Sequence, residues 1–289
     1  MFKQEYKRLI KSKATIGIIL VLTLLAVISF IVTYKAELDW VEMYKTDFSS
    51  TLNRDALANL IESYTGMKYM LEYWFNSDFA EITVYVLYIV VGIFVSPVLL
   101  NQRTSGFGNM VVSRKKYKTY LLSTLLAQSL YLCTVVFSSV LIEVVLAFII
   151  GGIGTRGSLG GYDFGVTTFV VIVAVQAFIL SIYAVLVSGI AATCSTFINN
   201  KYALQAFPLV AFALFPLISA QTLGNLSDVF AKIIVNFEAY AVMEGLSSVF
   251  NADFASSAIV ELLLPIVTYV SILFVLIVVN IKKFSRDYI

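Results

Sequence analysis

Two carboxylates, Glu143 and Glu261, are the only ionisable side chains inside the long apolar runs of this 289-residue chain. A charge in hydrocarbon is costly, and such residues usually face a bundle interior or water. Both are therefore candidates for lining a pathway taken by a cationic group. The alternative is a carboxyl that reaches interfacial water or holds a neighbouring helix. Two carboxylates can also form an acid/base pair, but the runs offer no nucleophile, metal set or third polar partner to go with them. There is no His, which excludes Ser-His-Asp hydrolysis and His-zinc chemistry. Cys133 and Cys194 stand alone in apolar sequence without C-x-x-C spacing, so a disulfide framework and a thiolate cage are excluded too. No catalytic, cofactor-binding or metal-binding residue is assigned, and the chain is not expected to be an enzyme.

One motif needs rejecting. Gly152, Gly154 and Gly157 spell G-x-G-x-x-G, and Gly152 to Gly157 has P-loop spacing, but Ser158 and Leu159 replace the Lys and Ser/Thr that a P-loop requires. The glycines join two apolar runs rather than a strand to a helix. No nucleotide or nucleic-acid site is expected in this chain.

The elements that must position the carboxylates follow from composition. Hydrophobic residues make up 60% of the chain and charged ones 13%, a balance far from that of soluble domains. Six runs are long enough for the roughly 20 helical residues that cross a bilayer: 14–34, 82–100, 119–150, 166–192, 203–220 and 258–281. They lack strand periodicity, so helices are the structure that satisfies their backbone in lipid. Val27-Ile28-Ser29 is a passable cleavage pattern, but the apolar run continues through Val32, and an uncleaved signal-anchor helix is expected. The expected fold class is an all-α integral membrane protein, one domain over 1–289.

Basic residues set the orientation. Fourteen of the 20 lie before the first run, between the second and third, at Lys201, and after the sixth. Both termini are accordingly expected in the cytoplasm. The net charge of +2 conceals +12 on these segments and −10 on the rest.

Outside the runs, residues 1–13 place Phe2, Tyr6, Leu9 and Ile10 on one helical face and Lys/Arg on the other. This is an interfacial amphipathic helix that anchors the chain or braces a cytoplasmic partner. Residues 35–81 carry a charge of −5, and the spacing of Leu57, Leu60, Ile61, Tyr64, Leu71 and Trp74, with a shorter stripe at Trp40, Tyr44 and Phe48, predicts an extracellular helical hairpin. It is either a solvated helical cap packed on the bundle or a gate or docking surface that meets a cationic or amphipathic substrate. Residues 229–237 suit an interfacial or re-entrant helix, or a surface loop. Pro97, Pro208, Pro216 and Pro265 all fall inside predicted spans, where each removes a donor and can shape packing or act as a hinge.

The segment between the second and third runs, SPVLLNQRTSGFGNMVVSRKKYKTYLLSTLLAQ, has five bases and no acid. Its small-residue turn, short apolar element and basic cluster exceed ordinary positive-inside punctuation. Here the chain resembles the ABC-2 family of ATP-binding-cassette transporter permeases. Gly106, Val111, Val112, Ser113, Arg114, Lys115 and Tyr117 match in order the G…(apolar)…SR(K/R)xY run that family members carry after span two. One position departs: where many members have Glu shortly before the glycine, this chain has Asn101 and Gln102.

The resemblance implies that 103–112 forms a coupling helix seated on a separate ATPase. Arg103, Ser105, Gly106, Val111, Val112, Ser113, Arg114, Lys115 and Lys116 would then be the coupling residues. It also implies two ATPase copies that bind ATP and Mg, a second permease subunit, identical or related, and a bacterial plasma membrane. Export of a peptide, bacteriocin or other amphiphile is the expected activity. The rivals are a stand-alone channel or secondary carrier, and a non-transporting immunity protein that captures a toxic peptide on its acidic segment.

Overall fold

The computed structural model describes residues 2–47, 65–75, 78–106, 116–152, 156–159, 162–216, 218 and 256–286. The described fold is nearly all helical. Its helices are α1 (Phe2–Ile10), α2 (Lys13–Asp47), α3 (Gly66–Phe75), α4 (Asp78–Val90), α5 (Val98–Thr104), α6 (Tyr117–Gly151), α7 (Val166–Cys194), α8 (Lys201–Leu209) and α9 (Ser256–Arg286). Two π-helical turns, Val91–Val95 and Val210–Leu214, follow α4 and α8. A short antiparallel hairpin joins α6 to α7: β1 (Arg156–Leu159) pairs with β2 (Tyr162–Gly165), Arg156 opposite Gly165. The all-α expectation is corrected by that hairpin alone, in a segment too short and glycine-rich for a helix.

Five helical stretches are long and apolar enough to cross a membrane: Lys13–Asp39, Phe79–Thr104, Tyr117–Gly151, Val166–Cys194 and Leu263–Phe284. They coincide with the first four and the last of the predicted runs. The remaining run is represented by Lys201–Leu214, a shorter apolar helix that rises only about 21 Å at 1.5 Å per residue.

Each spanning helix is apolar all round but buries one stripe. In α2 the stripe is Ile18, Leu22, Ala26 and Phe30, at four-residue intervals, while Leu20, Leu24, Ile28 and Ile31 face outward. This pattern suits a helix with protein on one side and hydrocarbon on the other. In lipid, apolar transfer does not drive helices together, so close packing has to, and small residues mark the contacts. A Cβ on Gly66 would lie 2.7 Å from the Ala147 carbonyl oxygen, and one on Gly92 would lie 2.0 Å from that of Gln205.

In the region predicted as an extracellular hairpin, the first stripe is no separate arm: α2 runs unbroken from the first span to Asp47, because residues 34–47 contain neither Gly nor Pro. The later part packs on the bundle: in α3, Met67, Tyr69, Met70, Leu71, Tyr73, Trp74 and Phe75 are all buried. Phe30 of α2 meets the Tyr73 ring edge-on at 5.8 Å, and the Gly66 N–H donates to the Gly152 carbonyl at 3.0 Å. The helical spacing marked an inward face, and the glycines let it approach α6 closely. The predicted helical turns at 53–64 and the segment 229–237 lie outside the described residues.

Candidate functional site

The ends of the helices meet in one polar junction. Gln102, at the end of α5, donates to Glu5 Oε1 of α1 (2.9 Å) and accepts from the Tyr120 hydroxyl of α6 (2.5 Å). Arg8 also pairs with Glu5. Burial pushes the Glu5 carboxyl above its ordinary value of 4.5, against the opposing pull of the Arg8 charge and the Gln102 bond. Thr15 gives its proton to the Leu9 carbonyl at 2.8 Å, so in the Thr15–Tyr131 contact at 3.2 Å the Tyr131 hydroxyl is the donor. Thr134 likewise donates to Leu130, leaving Tyr6 to donate to Thr134 at 3.1 Å. These bonds fasten the amphipathic helix α1 along α6.

The other side of the junction gathers α7 and α9. Arg103 donates to the Ser195 carbonyl (2.8 Å) and to Asn199 Oδ1 (3.1 Å), and its guanidinium lies 5.4 Å from the Phe284 ring centre. Lys283 donates to the Thr196 carbonyl (3.2 Å), and Asn280 bonds both Thr193 and Thr196. Tyr117, at the start of α6, packs on Phe284. The segments that carry most of the chain's cations thus share one end of the bundle, where Lys3, Lys7, Arg8, Lys11, Lys13, Lys116, Lys118, Lys201, Lys282 and Lys283 are exposed.

Of the coupling residues, Arg103 is turned into the bundle. Ser105 and Gly106 close α5: the Ser105 hydroxyl bonds the Gln102 carbonyl, and Gly106 has φ 74°, where a side chain would be strained. Lys116 precedes α6 and is exposed. Val111, Val112, Ser113, Arg114 and Lys115 lie outside the described residues. Gly152 of the rejected glycine motif has φ 75° and ends α6, a structural task.

Two of the four prolines stand beside helix irregularities, and the first of these packs against α8. A helix continuing through residue 97 would supply the Ile93 carbonyl with an N–H, which proline lacks. Span two instead winds into the Val91–Val95 π-turn, with Ser96 N–H bonding Val91, and restarts after Pro97. Gln205 of α8 donates to the Ile93 carbonyl at 3.3 Å, and Gln128 of α6 to that of Val95 at 3.4 Å. Pro208 lies within α8, close to Gly92 and just before the second π-turn. Pro216 follows that turn, whereas α9 runs continuous through Pro265. π-Turns inside helices recur at functional sites.

The pathway candidates fare differently. Glu261 lies in α9. Glu143 is 1% exposed, and its Oε2 has no hydrogen-bond partner among the described residues. It lines a cavity of about 10 Å³ with Ser139, Trp74 and Thr83. Sequence reasoning missed Trp74 and Ser139 as its neighbours, since a Trp on an amphipathic stripe and a Ser in an apolar run carry no signal of their own. No group of His, Cys, Asp and Glu fit to hold a metal occurs among the described residues. No family model, no curated protein and no solved structure matches this chain.

Proposed function

We propose that this chain is the membrane-spanning permease subunit of an ATP-driven exporter of the ABC-2 kind, sited in a bacterial plasma membrane. It works as a dimer, with an identical or related chain, and with two copies of a cytoplasmic ATPase that bind ATP and Mg. The observation that supports the proposal is the set of contacts made by the residues that flank 107–115: Gln102 and Arg103 at the end of α5, and Tyr117 and Tyr120 at the start of α6, touch α1, the turn after α7 and α9. A push transmitted to those flanks reaches most of the bundle through short polar links.

In this reading the basic end is cytoplasmic, as the distribution of Lys and Arg requires, and so are both termini. The chain crosses six times, a count supported by α7 and α9 both finishing at the basic end and by the shorter apolar helix Lys201–Leu214 between them. ATP-driven closure of the ATPases moves the loop, the π-turns near Pro97 and Pro208 yield, and the pathway opens outward. The acidic outer segment favours a cationic peptide or amphiphile as cargo.

Co-purification with candidate ATPases tests this. The native chain is expected to retain an ATPase through detergent purification, and Arg114→Glu with Lys115→Glu to lose it. Retention undiminished by both reversals would refute the proposal. A second reading, a stand-alone secondary carrier, draws on the buried Glu143. It predicts no ATPase partner and ion-coupled flux in vesicles.

A further inference from the structure

Glu143 sits eight residues before the end of α6, about 12 Å along the helix, in the half of the bundle away from the basic junction. Three of the residues that line its cavity each carry a buried polar atom without a hydrogen-bond partner among the described residues: Glu143 Oε2, Ser139 Oγ and Trp74 Nε1. Their residues are 1%, 2% and 3% exposed. We propose that these three side chains form a buried site for one water and one proton, which fastens α3 to the third span.

The size fits. The cavity's 10 Å³ matches the roughly 10–15 Å³ that one water needs, and buried waters typically make about three hydrogen bonds. The hydrogen-bond chemistry fits as well. Trp74 can only donate, Ser139 can donate or accept, and a protonated carboxyl can do both. A water accepts from the indole N–H and exchanges bonds with the other two, so no polar atom is left over.

The proton follows from what surrounds the carboxyl. The elements packed against it bring Leu22 from α2, Trp74 from α3, Thr83 and Leu87 from α4, and Leu180 from α7, none of them ionisable. Tyr73 of α3 is a titratable group near enough to feel a charge on Glu143. Its hydroxyl donates to Thr83 at 2.6 Å, since Thr83 gives its own proton to the Phe79 carbonyl. With no cation lining the cavity, an ionised Glu143 would be uncompensated. The protonated carboxyl keeps the site neutral and the water bound. Because Trp74 belongs to α3 while Ser139 and Glu143 belong to α6, displacing α3 breaks the site, and ionising Glu143 weakens the hold on α3. The site stands independently of any ATPase.

Infrared spectroscopy of the full chain in lipid nanodiscs at neutral pH tests this. A protonated carboxylic C=O band is expected, absent from Glu143→Gln and shifted to higher frequency in Ser139→Ala and in Trp74→Phe as the water loses a partner. If Glu143→Gln does not fold, the shifts in the two milder variants decide. A Glu143 signal found as carboxylate at neutral pH would overturn the proton. A carboxylic band at the same frequency in native chain, Ser139→Ala and Trp74→Phe would overturn the bound water.

Discussion

At the residue scale the basic junction rests on a few polar side chains that have no substitutes. Tyr120→Phe removes the donor to buried Gln102 Oε1, and an orphaned buried acceptor costs about 1–3 kcal/mol. A corresponding loss of thermal stability in detergent is expected, with a smaller loss for Tyr6→Phe, whose contact is half-exposed. Glu5 adds a pH dependence. Its folded-state carboxyl titrates above the ordinary 4.5, so the folded form binds the proton more tightly, and its contribution falls as pH rises from about 4.5 through the raised value. Proteolytic release of α1 should increase across that window in the native chain and not in Glu5→Gln. An unchanged slope in Glu5→Gln would assign the titration elsewhere. None of this was legible in the sequence beyond residue type. Glu5 and Gln102 are 97 positions apart, and no local pattern pairs them. Glu143 was legible as unusual because a carboxylate in an apolar run is costly wherever the chain folds, but its Trp74 neighbour comes from a different helix.

At the element scale the second span and α8 are coupled through the carbonyl that Pro97 leaves free. Gln205→Ala in the native chain orphans the Ile93 carbonyl and is expected to destabilise by about 1–3 kcal/mol. In a Pro97→Ala background an N–H is available to that carbonyl, so the same substitution should cost much less. A double-mutant cycle on unfolding midpoints reads the difference, and simple additivity would contradict the account. Gly66→Ala places a methyl 2.7 Å from backbone of α6 and should cost about 1–3 kcal/mol by overpacking, loosening α3. The spans themselves were readable because any run of that length and apolarity must be helical in lipid. The burial of α3 was not. Its stripe marks an inward face, but periodicity alone does not say whether that face meets the surface of the bundle or its interior. Prolines flagged the irregularities without revealing that the first π-turn packs against α8, which depends on Gly92 admitting the α8 backbone.

At the scale of the whole molecule the described basic segments, far apart in the chain, meet at one end of the bundle; their basic character was legible in the sequence, their meeting was not. Single cysteines at Lys3, Lys201 and Lys282, in a chain lacking Cys133 and Cys194, should all react with an impermeant maleimide from the same side, and a cysteine at Arg156 from the other. The central claim is that this basic end seats an ATPase. The most direct measurement places a photo-crosslinker at Val112 in cells and identifies what it captures. The account predicts a cytoplasmic ATPase carrying a complete P-loop, lost when Arg114 and Lys115 are reversed to Glu. Capture of no ATPase, with the chain still folded and inserted, would contradict it.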